Sequence, residues 1–129
     1  MKKHIEVVAA VIKHDGKFFC AQRKDSGELA KKWEFPGGKV ELGETLQESL
    51  IRELKEELKI KVNVLDFITT VNHEYETFII TLHAFMCELV SNNIVLMEHL
   101  DSKWLNRDEL EQLDWAEADI PIVNLIKED

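Results

Sequence analysis

Apolar side chains first occur in two extended segments near the N-terminus, residues 4–12 and 17–23, and both predict strands. The turn signal His14-Asp15-Gly16 lies between them, so we expect the two segments to form a hairpin. Trp33-Glu34-Phe35 predicts a further short strand, and the Pro36-Gly37-Gly38 that follows it is expected to be a loop. The first forty residues therefore indicate β-structure.

The next segment has helical spacing. Leucines recur at positions 46, 50, 54 and 58, and Thr45 with Glu48 three residues later is typical of a helix N-terminus. Residues 62–71 and 78–90 then predict two strands, the second of which is expected to pair with a segment ending near Trp104-Leu105. Asn106 is expected to cap a short helix through Leu113, and Asp119 to cap a last helix reaching about Lys127. This order predicts an α/β fold, with a mixed β-sheet between helices, and residues 1–129 as a single domain.

Composition agrees with an ordinary globular protein, at 45% hydrophobic and 32% charged residues. No apolar stretch approaches the roughly 20 residues of a membrane-spanning helix, so we expect a cytoplasmic protein without a membrane partner. Cys20 and Cys87 lie in apolar runs and are expected to be buried free thiols. The formal charge of -9 argues against nucleic acid as a partner. A phosphorylated substrate would have to be received through a bound cation.

Acidic residues give the predicted helix its chemistry. Glu53, Glu56 and Glu57 are i, i+3 and i+4 neighbours, so their carboxylates should converge on one side of the helix, away from the leucines. Like charges at this spacing repel each other, and a divalent cation explains why they are clustered. Carboxylate oxygens suit Mg²⁺, or Mn²⁺, better than Zn²⁺. Arg52 is expected to pair with Glu44 and to orient Glu53.

Residues 38–60 combine these features in one long pattern: Gly38, five residues, Glu44, seven residues, then Arg52-Glu53-Leu54-Lys55-Glu56-Glu57-Leu58-Lys59-Ile60. The pattern resembles the Nudix box at every position but Lys59, where the family has a glycine that ends the helix. A lysine in the left-handed conformation would cost about 1 kcal/mol there. The segments Trp33 to Lys39 and Ala118 to Pro121 resemble the MutT branch of the family, which includes CTP pyrophosphohydrolases. The resemblance implies the Nudix fold and a Mg²⁺-dependent hydrolase that cleaves a nucleoside triphosphate to the monophosphate and pyrophosphate.

The resemblance also implies roles for individual residues. Glu53 or Glu98 would be the general base, with Glu53 preferred, although Glu98 is equally consistent with a surface loop beside His99. Arg23 and Lys39 match positions that contact substrate, and their charges suit phosphate oxygens. Phe35 either lies against the nucleobase or belongs to the core. The implied metal ligands are Gly38, Glu53, Glu56, Glu57 and Glu98.

Base recognition is expected at two further positions. Asp119 stands where MutT has asparagine and the CTP-cleaving relatives have aspartate, which favours a cytosine nucleotide, because a carboxylate accepts a hydrogen bond from an exocyclic amine. A helix cap is the alternative role for Asp119, and both roles can hold together. Phe78 occupies roughly the place of an arginine in both groups, so base recognition is expected to differ from either.

Three other functions stay open at this point. No proline lies between Pro36 and Pro121, which weighs against an ADP-ribose hydrolase, whereas Tyr75 lies close to a tyrosine of the dinucleoside polyphosphate group. A nucleotide-sensing module without turnover is the third alternative, and the intact acidic set weighs against it. The expected partner is a small nucleotide, and the chain is expected to be a monomer or a homodimer.

Overall fold

Strand pairing organises the fold around one long N-terminal strand. The computed structural model describes residues 1–91 and 93–128. In these residues the elements follow one another as β1 (Lys3–His14), β2 (Lys17–Gln22), β3 (Trp33–Glu34), β4 (Gly37–Lys39), α1 (Leu46–Leu58), β5 (Val62–Glu74), β6 (Phe78–Leu89), β7 (Asp101–Leu105), a 3₁₀ helix (Arg107–Gln112), a second 3₁₀ helix (Glu117–Asp119) and α2 (Ile120–Glu128). The sheet is mixed, because β1 runs parallel to β6 and antiparallel to β2 and β4.

The predicted N-terminal hairpin is confirmed. β1 and β2 pair antiparallel next to the turn, where Asp15 and Gly16 both have positive φ angles of 51° and 78°. Two successive positive φ angles are the geometry of a tight hairpin turn, and Asp-Gly is a pair that adopts it at low cost. The turn chemistry alone was therefore sufficient to predict this pairing.

Two predictions about the sheet are wrong. The predicted loop at Pro36-Gly37-Gly38 contains β4, which pairs with β1 through the register Val8 to Gly38. The predicted partner of β6 is also wrong, because β7 pairs with β2 instead, while β6 lies between β1 and β5. Because β7 pairs with β2, Glu98, which lies just before β7 in the chain, is brought to the edge of the sheet near β2 and β3.

Apolar residues cover both faces of the sheet, which explains the uninterrupted apolar run of β1. Its even-numbered residues Val8 and Ala10 pack with Leu50, Leu54 and Leu58 of α1, while its odd-numbered residues pack with the 3₁₀ helices and α2 on the other face. The sheet thus lies between helices, as predicted. The predicted packing of the leucine face is confirmed, because these three leucines are fully buried. No helix of the described ranges is long and apolar enough to cross a membrane.

Both ends of α1 have defined caps. The Thr45 side chain accepts from the Glu48 N–H (3.1 Å), and the Glu48 carboxylate accepts from the Thr45 N–H (2.8 Å), as the predicted capping box requires. Lys59 ends the helix in the left-handed conformation at φ 58°. The helix therefore stops where the family glycine would stop it, with lysine adopting the backbone conformation that favours glycine.

Candidate active site

A cleft of about 890 Å³ opens where β4, α1 and the segment before β7 meet. Its walls differ in chemistry. Carboxylates form one side, the three cationic side chains of Arg23, Lys24 and Lys39 lie at the rim, and aromatic and aliphatic groups form the far end. The candidate residues that the structure brings to this cleft are Arg23, Phe35, Gly38, Lys39, Glu53, Glu57, Phe78, Glu98 and Asp119. Glu44, Arg52 and Glu56 are not among the residues that line it.

Gly38 and Glu53 are in direct contact across the base of the cleft. A Cβ atom built on Gly38 would lie 2.3 Å from the carboxyl carbon of Glu53, far inside van der Waals contact. Gly37 is equally constrained, but by backbone, since a Cβ there would lie 1.8 Å from the carbonyl oxygen of Val8. The two glycines therefore have different roles: Gly37 allows β4 to approach β1, and Gly38 leaves room for the Glu53 carboxylate.

The Arg52 guanidinium holds two glutamates, Glu44 and Glu53, by hydrogen bonds. Its Nε donates to Glu44 Oε2 (2.7 Å), its second terminal nitrogen donates to Glu44 Oε1 (2.9 Å), and its first donates to Glu53 Oε1 (2.9 Å). The Arg52 guanidinium and the Ser49 hydroxyl lower the pKa of Glu44 to about 2. Glu44 is thus a fixed anion that orients Arg52, and Arg52 in turn orients Glu53, as the sequence predicted.

The three helix glutamates converge less than predicted. Glu53 and Glu57 face the main cleft, whereas Glu56 lines a smaller adjoining cleft of about 320 Å³ together with Glu57 and Glu98. Within residues 1–91 and 93–128, no three His, Cys, Asp or Glu side chains are close enough to hold a metal ion. Burial, followed by the charge of Glu53, raises the pKa of Glu57 to about 7. The acidic wall is therefore an electrostatically unfavourable arrangement in the protein alone.

Asp119 is buried at the far end of the cleft, with a residue exposure of 6%. Its prediction as a helix cap is wrong, because it lies within the 3₁₀ turn that leads into α2, and its carboxylate accepts from the Phe35 N–H (2.9 Å). Burial, followed by the nearby Glu34, raises the pKa of Asp119 well above its ordinary value. A neutral carboxyl at this place can donate one hydrogen bond and accept others.

Aromatic side chains surround this carboxyl group. Phe35 stacks on Trp115 with ring centroids 4.7 Å apart, so it belongs both to the core and to the cleft wall. Phe78 lies against Tyr75 at 4.9 Å, and the Tyr75 hydroxyl accepts from the Ala118 N–H (2.8 Å). This end of the cleft is lined by aromatic rings around the buried carboxyl group of Asp119, with the Tyr75 hydroxyl already paired to backbone.

Glu28, an exposed residue that lines the cleft, ties the loop between β2 and β3 to the turn between β5 and β6, a contact that the sequence did not reveal. Its carboxylate accepts from the backbone N–H groups of Glu76 (2.8 Å) and Thr77 (3.0 Å), and from the Thr77 hydroxyl (2.6 Å). Its partners lie 48 and 49 residues further along the chain, so no local spacing could have indicated the contact.

A second contact missed from the sequence joins Arg23 to His99 through Glu34. Arg23 donates to one oxygen of Glu34 (3.0 Å), and the other oxygen contacts Nε2 of His99 (3.0 Å). A charged residue between Trp33 and Phe35 in a short strand was the available signal. Lys39, by contrast, extends from β4 as an exposed cation at the cleft rim.

Known proteins with similar sequences share this arrangement of elements. A family model for the NUDIX domain matches residues 7–125. A CTP pyrophosphohydrolase of Escherichia coli strain K12 is 40% identical over 121 residues, which cover 94% of this chain and 90% of the relative. An 8-oxo-dGTP diphosphatase of Proteus vulgaris is 41% identical over 87 residues, covering 66% and 77% of the two chains. The solution NMR structure of the MutT protein of methicillin-resistant Staphylococcus aureus 252, a Nudix hydrolase, superposes with a TM-score of 0.80 at 47% identity, covering 99% and 98%.

Proposed function

The chain belongs to the Nudix hydrolase family, and from this premise we propose that it is a Mg²⁺-dependent pyrophosphohydrolase that converts a nucleoside triphosphate and water to the monophosphate and pyrophosphate. The observation that carries the proposal is the division of one cleft into an acidic wall, a cationic rim and an apolar end with a single buried carboxyl group. A nucleoside triphosphate has the matching parts, namely a phosphate chain and a flat base. Removal of damaged or surplus nucleotides would be the cellular role.

The acidic wall fits a hard divalent cation. Its donors are carboxylate oxygens, with the Gly38 backbone lying directly beside the Glu53 carboxylate. The raised pKa of Glu57 supports the same assignment, because a cation would relieve the repulsion between buried like charges. Glu53, Glu57 and Glu98 would hold Mg²⁺ here, with Glu56 reaching it from the adjoining cleft; because no three of these side chains lie close enough in the described residues, they would have to turn toward the ion as it binds. When bound, Mg²⁺ neutralises phosphate oxygens and lowers the pKa of water in its coordination shell.

Protein groups would then orient the phosphate chain and the attacking water. Arg23 and Lys39 would bind phosphate oxygens at the rim, since both line the cleft and their charges suit phosphate oxygens. Glu53 would act as general base, because Arg52 and Gly38 hold its carboxylate in one position. Glu98 is the alternative base, on a segment without helix or strand.

Asp119 and the aromatic end would select the base. The pyrimidine preference rests on Asp119 and on the likeness to an E. coli protein named a CTP pyrophosphohydrolase. The likeness to 8-oxo-dGTP diphosphatases keeps oxidised guanine as the second candidate. Phe78 would pack against either base. A cytoplasmic location and a monomeric or dimeric state stay predictions.

Product analysis by ion-exchange chromatography tests the proposal. The protein is incubated with and without Mg²⁺ against canonical, oxidised and methylated nucleoside triphosphates, ADP-ribose and a dinucleoside polyphosphate. We expect Mg²⁺-dependent monophosphate and pyrophosphate, highest for cytosine nucleotides. Glu57→Gln should abolish turnover, whereas Glu88→Gln, the same change on an exposed face of β6, should not.

Other products would identify other functions. Turnover of the dinucleoside polyphosphate alone would support the role of Tyr75 suggested by the sequence and refute triphosphate specificity. Preference for oxidised guanine would keep the hydrolase and overturn the assignment of Asp119 to cytosine. No turnover of any compound would favour a nucleotide sensor.

A further inference from the structure

One carboxylate, Glu34, connects two different parts of the cleft. Its two oxygens contact Arg23 NH1 and His99 Nε2, each at 3.0 Å. Since a carboxylate only accepts hydrogen bonds, His99 must donate through Nε2. The His99 side chain is 5% exposed and that of Glu34 is 17% exposed, so the contact is shielded from water. A hydrogen bond from a buried imidazole to a shielded carboxylate orients both groups more strongly than a surface pair does, whereas the Arg23 side chain is 38% exposed.

His99 is the residue after Glu98, on a segment with neither helix nor strand to fix its backbone. The neighbouring backbone is anchored at Met97, whose N–H donates to the Glu57 carbonyl (3.1 Å), and at Leu100, whose N–H donates to the Gln22 carbonyl (2.9 Å). The His99 side chain supplies the anchor between these two. The position of Glu98 is thereby linked to β3, in addition to the backbone anchors on α1 and β2.

We propose that Glu34 and His99 are positioning residues that hold Glu98 and Arg23 at a fixed separation across the cleft. The proposal rests on the proposed function for the roles of Glu98 and Arg23. Neither Glu34 nor His99 needs to touch the reacting atoms: each acts through a neighbour, one on the acidic wall and one at the phosphate-binding rim. Hydrolysis of a triphosphate requires Glu98 and Arg23 to act on the same phosphate chain at the same time. The carboxylate of Glu34 would keep them at the distance that this requires, because it contacts Arg23 directly and Glu98 through His99.

Glu34 is the hydrogen-bond partner that the Arg23 and His99 side chains share. Within the described residues, Nδ1 of His99 and Nε of Arg23 are buried without hydrogen-bond partners, as is Nε of Arg107, which does not line the cleft. The side-chain hydrogen bonds that Arg23 and His99 do make both go to Glu34. Their positions in the cleft therefore depend on this carboxylate.

The fold contains a matched control pair. Nε2 of His83 contacts Oε2 of Glu6 at 3.0 Å, the same chemistry and distance as the His99–Glu34 contact, but on the β1–β6 ladder and not lining the cleft. Replacing His83 by leucine therefore removes a pair of the same kind away from the cleft, together with the contact between His83 Nδ1 and the Thr70 hydroxyl (2.8 Å). Replacing His99 by leucine adds the proposed effect on Glu98.

The experiment combines steady-state kinetics at saturating Mg²⁺ with ¹⁵N relaxation of the free protein. We expect His99→Leu to lower kcat about tenfold with KM changed less than twofold, since a small displacement of a catalytic group has effects of this order or larger. The order parameter of the Glu98 amide should fall from a rigid value of about 0.85 to below about 0.6. His99→Gln, which keeps a donor, should recover most of kcat. Glu34→Gln should lower kcat and raise KM together, because it also weakens the contact to Arg23.

His83→Leu should leave kcat and the Glu98 amide unchanged. If His99→Leu changes kcat no more than His83→Leu does, or leaves the Glu98 amide rigid, the positioning role is refuted. If the wild-type protein hydrolyses no nucleotide, the proposed function fails, and the relaxation data still decide whether His99 fixes Glu98.

Discussion

Gly37 and Gly38 should respond to the same alanine substitution in opposite ways. At Gly37 the added Cβ would lie 1.8 Å from the carbonyl oxygen of Val8 and 2.8 Å from its carbonyl carbon, both backbone atoms of the central strand β1. At Gly38 the added Cβ would lie 2.3 Å from the carboxyl carbon of Glu53, at the end of a flexible side chain. The first clash requires two strands to separate, and the second requires only a side chain to turn away.

The magnitudes follow from these contacts. Contacts of a real Cβ below 3.0 Å essentially do not occur, so Gly37→Ala must push β4 from β1 by more than about 1 Å, at a cost of about 3 kcal/mol or more. That corresponds to a fall in melting temperature of about 10 °C for a domain of this size. Gly38→Ala should lower the melting temperature by less than about 3 °C, while displacing the Glu53 carboxylate by about 1 Å and lowering kcat about 100-fold.

Thermal unfolding and Mg²⁺-dependent pyrophosphate release, measured on both variants, test this pair of outcomes. Gly16→Ala, in the hairpin turn, has open space around its Cβ but a φ of 78°, so it controls for destabilisation without a clash at the cleft; it should cost about 1–2 kcal/mol in stability and leave kcat unchanged. The reasoning is refuted if Gly38→Ala retains more than a third of the wild-type kcat, or if Gly37→Ala melts within 3 °C of the wild type.

Three further predictions follow from single groups. Asp119→Ala leaves the buried Phe35 N–H without its acceptor and should cost about 1–3 kcal/mol in unfolding free energy, whereas Asp119→Asn should restore stability but alter the ratio of kcat/KM between CTP and 8-oxo-dGTP. With EDTA present, stability should fall as pH rises from about 4.5 through the raised pKa of Glu57, about 7, because the folded state holds the proton longer; solvent screening limits the loss to the order of 1 kcal/mol. Lys59→Gly should stabilise the protein by about 0.5–1 kcal/mol in urea unfolding, by relieving the left-handed lysine.

Each of these has a contrary outcome. Equal melting temperatures for Asp119→Ala and the wild type would show that Phe35 finds another acceptor. In EDTA, Glu57→Gln should flatten the pH dependence, and Mg²⁺ should raise the melting temperature more at pH 8 than at pH 5.5, since metal binding requires ionised carboxylates; a Mg²⁺ effect independent of pH contradicts the assignment. A less stable Lys59→Gly variant would mean that the lysine side chain makes a contact that outweighs its strain.

Local signals predicted local structure well. The Asp15-Gly16 turn, the leucine spacing of α1 and the Thr45 capping box are each determined by residues within four positions of one another, and the structure has all three. The Arg52 contact to Glu44 spans eight residues and was also predicted, because the glycine and glutamate spacing of residues 38–60 defines it. For contacts between residues up to eight positions apart, the residues that cause the contact are therefore visible in the local sequence.

Predictions failed where the partner is distant along the chain. The choice of β2 rather than β6 as the partner of β7 depends on how the whole sheet closes, which strand composition does not encode. Strand β4 was not predicted for the same reason. Gly37 and Gly38 have low strand propensity, and they form a strand because β1, which is distant in the sequence, pairs with them. For Asp119 the sequence predicts a contact to the base, with a helix cap as the alternative or additional role, but neither prediction identifies the buried N–H of Phe35, 84 residues away in the chain, as its partner.

Residue type alone cannot separate a structural glutamate from one that needs a cation, but the environment can. Glu44 and Glu57 lie 13 positions apart in the same sequence pattern and have pKa values displaced in opposite directions, to about 2 and about 7. Donors from Arg52 and Ser49 complete the surroundings of Glu44, so adding a cation there would compete with contacts already made. The pKa of Glu57 is raised by burial and by neighbouring carboxylates, so a bound cation or a proton would stabilise this side chain. In a chain with a formal charge of -9, this difference supports the proposal that the acidic wall, and not the acidic composition as a whole, receives a cation and with it a phosphorylated substrate.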